Sequence, residues 1–180
     1  MVLKPQDIFT VLKLIAIGKA DWSYARLAVD LDMSTSEVHA AIKRALHARL
    51  AVQYKSGIRP NIQNIHEFLI HGIRYVFIPE RGEITRGVPT IHGASFMAEM
   101  LVSSGGPPPV WPDQEGSVRG ESFSPLYRSA PSASRKDDQL YELLVLVDAL
   151  RAGNTREHKI AVSEIQKRFD NYRVLTKSQS

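Results

Sequence analysis

Apolar residues recur at three- and four-residue steps over Ile8, Val11, Leu12, Ile15 and Ala16, the spacing of one helical face. Pro5 suits a first helical position and Gly18 ends the run. A second stripe, Tyr24, Leu27, Ala28 and Leu31, follows Ser23 as N-cap. Asp32, Met33 and Ser34 interrupt it. A third stripe, Val38, Ala41, Ile42, Ala45 and Leu46, then begins behind a capping box of Ser34 and Glu37. The second and third stripes together have helix–turn–helix spacing, with Met33 placed to plug the angle between them. Residues 50–54 have strand character, residues 55–57 a turn signal, and residues 58–62 a return strand that Pro60 restricts to an edge.

Farther along, residues 65–73 predict a helix running into an apolar segment, 74–78, that Pro79 stops. Residues 80–100 are turn-rich, with Arg81 and Arg86 among their polar groups, and predict a loop covering the N-terminal unit. Residues 103–134 are rich in Ser, Gly and Pro. Val110, Trp111, Phe123, Leu126 and Tyr127 punctuate them, so the expectation is an extended arm that lays these side chains into grooves. Residues 137–152 and 154–169 predict a helical hairpin, the first helix acidic at its start and closed by Arg151 and Gly153. The final TKSQS predicts a fraying tail. The expected fold class is mainly α with a small β-wing: a winged helix-turn-helix domain (1–62), an extension packed on it (63–102), the arm (103–134) and a C-terminal helical hairpin (135–172).

Charge sharpens this picture. The net charge of +4 falls on residues 1–60, where nine Lys or Arg face five acids. On the third stripe's helix, Thr35, Ser36, His39, Ala40, Lys43 and His47 point away from the apolar side, with Arg44 on the flank. Small and polar side chains at the N-terminal end suit base edges in a major groove; Lys43, Arg44 and, on the wing, Lys55 and Arg59 suit phosphates. The expected partner is double-stranded DNA.

The segment ARLAVDLDMSTSEVHAAIKRAL resembles the winged-helix segment of bacterial transcription regulators of the MarR and IclR kind. The likeness covers roughly residues 5–60 and implies a sequence-specific, autoregulating DNA-binding protein. Some regulators of this appearance accompany toxin genes, which implies an alternative: an antitoxin or adaptor that neutralises a toxin partner through the C-terminal arm and helices. The long Pro-rich region departs from a plain MarR layout, so no ligand pocket is carried over.

Other chemistry finds little support. There are no cysteines, which fits a reducing compartment, and neither a membrane-length apolar run nor a signal-peptide pattern is present. The expected location is cytoplasmic. Glu67 and His71 have i, i+4 spacing but no third ligand, so no metal is expected. Glycines 82, 87 and 93 lack phosphate-loop spacing, no Ser/His/Asp order can be tied together, and neither a cofactor nor an enzymatic activity is expected. The hairpin carries more apolar surface than two helices hide from each other. Leu140, Leu144, Val147 and Ile165 therefore predict a homodimer seam; the competing arrangement folds that face onto Phe68, Tyr75 and Phe77 of the same chain.

Overall fold

The computed structural model describes residues 1–101 and 105–177. The expected fraying of the last residues and the boundary expected at 102/103 lie partly outside them. The fold is mixed α/β, 56% helical, with one two-stranded and one three-stranded sheet.

Helix α1, Pro5–Ile17, is followed by α2, Tyr24–Leu31, and α3, Thr35–His47. Strands β1, Ala51–Tyr54, and β2, Gly57–Pro60, form an antiparallel hairpin in which Tyr54 faces Gly57. Helix α4, Ile62–His71, and the short α5, Ile73–Val76, come next.

The sequence pattern makes α1 amphipathic, yet every residue from Asp7 to Ile15 is buried. The reason lies at the other end of the chain. Helix α8, Asp138–Ala152, packs against α1 and is itself buried from Leu143 through Arg151. A helix buried on all sides is a central one, and α1 and α8 are the shared centre of a core running from Ile8 to Tyr172. Helix α9, Thr155–Lys177, returns along α8 and reaches α4.

This packing corrects the expected dimer seam. Leu140, Leu144, Val147 and Ile165 are at most 1% exposed within one chain, so their apolar surface is spent on the chain's own core. The competing arrangement is the one adopted, with Phe68 and Phe77 packed on that core, although Tyr75 is 74% exposed.

The second correction concerns residues 80–134, expected as loop and arm. Strand β3, Arg81–Pro89, a 3-10 turn at Ile91–Gly93, helix α6, Ser95–Ala98, strands β4, Pro109–Pro112, and β5, Val118–Phe123, and helix α7, Ala130–Ser134, occupy this stretch. Strand β3 runs antiparallel to both β4 and β5, which pair with each other in parallel, so the three close on themselves. Closure this tight leaves no room for a side chain at two of the inward positions. A Cβ on Gly87 would enter the Trp111 carbonyl, and one on Gly120 the Pro108 carbonyl. The expected anchors are used within the chain: Val110, Trp111, Phe123 and Leu126 are buried, and Tyr127 is half-buried.

Buried charge joins the two halves. Asp148 on α8 is fully buried and accepts from Thr90 Oγ1 (2.8 Å), Trp111 Nε1 (2.6 Å) and Arg151 (2.7 Å). Arg151 also donates to the Phe77 and Ser124 carbonyls. Burial pushes the Asp148 carboxyl upward, while Arg151, Trp111 and Thr90 oppose that shift. On α1, Lys13 meets Asp30 of α2 and Asp137, the N-cap of α8.

Candidate nucleic-acid interface

Local chemistry builds the α2–α3 pair. Ser23 Oγ accepts from the Arg26 amide at 3.2 Å, and Asp32 closes α2 in the left-handed region at φ 53°. Met33 is buried in the angle between the helices. The Ser34–Glu37 capping box forms in both directions, Glu37 N–H to Ser34 Oγ at 3.1 Å and Ser34 N–H to Glu37 Oε2 at 2.8 Å. Val38, Ala41, Ile42 and Ala45 are the buried stripe of α3, with Leu46 half-buried.

The opposite face of α3 presents Thr35, Ser36, His39, Lys43 and His47 exposed and Ala40 half-buried. His39 is not free to turn: its ring stacks on Tyr24 at 3.6 Å and 10°. Lys55 at the hairpin tip is exposed, as is Arg59, whose guanidinium donates to Ser56 Oγ and lies over the Tyr54 ring. Among the described residues Lys43, His47 and Lys55 have neither ion-pair nor hydrogen-bond partners in the structure. A cleft of about 610 Å³ opens between this hairpin and the end of α9, with Trp22, Tyr24, Arg59 and Tyr172 in its wall.

Arg44 departs from its expected role. Its guanidinium turns inward to Asp7, a carboxylate with no exposure, through Nε at 2.8 and 2.9 Å and a second nitrogen at 2.6 Å. That bidentate bond holds its protonated form still more firmly, pushing its pKa upward. The side chain fastens α3 to α1 and is not available to a phosphate.

The arm supplies what sequence reasoning missed. Tyr127 Oη donates to Glu37 Oε1 at 2.9 Å, and Ser129 Oγ donates to the Leu31 carbonyl at 2.7 Å. Lys136 Nζ donates to the Val29 carbonyl at 2.8 Å, and Arg128 stands exposed beside Glu37. The start of α3 is therefore held by residues some ninety positions away. Tyr127 was legible as an apolar anchor, but no local pattern links it to Glu37. The backbone and hydroxyl of Ser34, then the Tyr127 hydroxyl, bring the Glu37 carboxyl down to about 2.

A pH consequence follows with a definite sign. A depressed carboxyl stabilises above its ordinary value of 4.5 and loses that contribution as pH falls toward about 2. Tyr127→Phe removes one donor, so carbon-detected NMR titration of Glu37 is expected to give a higher midpoint than wild type. An unmoved midpoint would show that the Tyr127 bond does not act on the cap.

Among the described residues no helix is long and apolar enough to cross a membrane, and no group of three His, Cys, Asp or Glu is placed to hold a metal ion. No family model matches the chain, and neither a curated protein nor a solved structure matches it.

Proposed function

We propose that the chain is a sequence-specific double-stranded DNA-binding regulator of the winged helix-turn-helix type, with α3 entering the major groove and the β1–β2 hairpin acting as the wing. One observation carries the reading. A doubly capped helix exposes small and polar side chains at its start and unpartnered Lys43 and His47 farther along, next to a hairpin that exposes Lys55 and Arg59. Thr35, Ser36, His39 and Ala40 then meet base edges, while Lys43, His47, Lys55 and Arg59 meet phosphates. Stacking on Tyr24 pre-orients His39, which reduces the ordering cost of a base contact. Two copies on a two-fold operator would need a contact face other than the buried α8–α9 seam.

The test is binding to duplex DNA across a salt series. Alanine at Lys43, Lys55 or Arg59 is expected to weaken all sequences alike and to lower the log–log salt slope by about 1 per true phosphate contact. Unchanged affinity and slope in the triple variant would refute the assignment.

A further inference from the structure

We propose that the outward face of the β3–β5 pair is a docking surface for a protein partner that presents carboxylates. Arg86 and Arg119 lie directly opposite each other in the antiparallel register, so both side chains leave the same face of the sheet. Gly87 and Gly120 turn inward to the closed sheet, which sends Ile84, Arg86, Arg119 and Glu121 outward. Like charges directly opposite each other destabilise a strand pair. Both arginines are exposed, and among the described residues neither has an ion-pair or hydrogen-bond partner for its side chain.

Three neighbouring carboxylates, Glu121, Asp113 and Glu115, are already engaged. Glu121 accepts from Arg81 at 2.5 Å. Asp113 donates its amide to the Arg86 carbonyl at 3.1 Å, yet its carboxylate turns to Arg135 at 2.8 Å, and Glu115 joins the same arginine at 3.0 Å. The buried and part-buried arginines Arg44, Arg151 and Arg168 are matched to carboxylates, whereas Arg26, Arg49 and Arg156 are, like Arg86 and Arg119, exposed without one among the described residues. Glu83 is exposed without a partner, yet among the described residues no carboxylate forms an ion pair with either Arg86 or Arg119, so both guanidiniums are open to an anion from outside. A sheet that keeps a locally unfavourable pair unrelieved marks a place where function outweighs stability.

Ile84, half exposed on the same face, decides the kind of partner. An apolar side chain between two unpaired guanidiniums and the Arg81–Glu121 ion pair has the composition of a protein interface, where arginine and apolar groups concentrate. Each guanidinium can hold a carboxylate through two parallel bonds. This surface is separate from α3 and the wing, and does not depend on the DNA-binding reading.

The experiment uses isotope-labelled full-length protein, titrated in turn with an octapeptide of alternating Glu and Leu and with a short random-sequence duplex. The peptide is expected to shift the amides of residues 84–86 and 119–121 saturably, and to bind the Arg86→Ser/Arg119→Ser variant at least about tenfold more weakly. The duplex should leave those amides in place. Absence of peptide shifts on this ladder, or equal binding by the variant, overturns the proposal, as does a duplex that moves the ladder instead. Thermal unfolding supplies an independent readout. Arg119→Ser is expected to raise Tm by about 1–3 °C, because it relieves the repulsion. A lower Tm would mean that the arginine pair stabilises the sheet, which also overturns the proposal.

Discussion

Asp148→Ala is expected to destabilise the protein by about 3–5 kcal/mol, because it leaves the buried Arg151 guanidinium without its carboxylate. Two further donors, Thr90 Oγ1 and Trp111 Nε1, lose their acceptor in the same step, and unsatisfied buried donors add about 1–3 kcal/mol each in unfavourable cases. The loss is concentrated where α8 meets the closed sheet, since Trp111 belongs to β4 and Thr90 follows β3. Denaturant unfolding measures it. Asp148→Asn keeps an oxygen for Trp111 or Thr90 but still strands the Arg151 charge, so it should recover only part of the loss. A change below about 1 kcal/mol in both variants, the range of an exposed ion pair, would show that the network does not join the two halves.

Arg44→Ala is expected to act through stability and not through DNA contact. It strands the Asp7 carboxylate, which has no exposure and, among the described residues, keeps only the Lys4 amide as a donor. Removing one partner of a buried pair typically costs about 3–5 kcal/mol. Replacing both, as Asp7→Leu with Arg44→Met, should recover most of that, because an apolar pair of similar volume leaves no buried charge behind. Below the unfolding transition, the salt slope of DNA binding by the double variant should match wild type. A slope lower by about 1 in the fully folded double variant would return Arg44 to the phosphate-contacting set.

The same residue shows what local pattern can and cannot express. Helical periodicity placed Arg44 on the flank of α3, and that placement is where the structure has it. Which partner the flank meets depends on Asp7, thirty-seven positions earlier, and no rule of spacing reaches so far. The capping box at Ser34 and Glu37, the turn at Asp32–Met33 and the β1–β2 hairpin were legible because their bonds close within a few residues.

The β3–β4–β5 ring was not legible, for a related reason. A strand announces itself by alternation, but two of the inward positions here are held by Gly87 and Gly120, where backbone proximity excludes an apolar side chain. Prolines at both ends of β4 made that strand read as arm.

The sequence alone determined the longer helices α1 to α4, α8 and α9, the caps at Ser23 and Ser34, the β1–β2 hairpin, and the basic and polar character of the exposed face of α3. Only the tertiary structure decided what each apolar face packs against. Leu140, Leu144, Val147 and Ile165 had to be buried on any reading, because the free energy of removing apolar surface from water is large. That term is non-directional, so it could not choose between a second copy and α1 of the same chain. The choice was made by pairings of α8 specific to one arrangement: Lys13 with its N-cap Asp137, Asp148 with Thr90 and Trp111, and Arg151 with the Phe77 carbonyl.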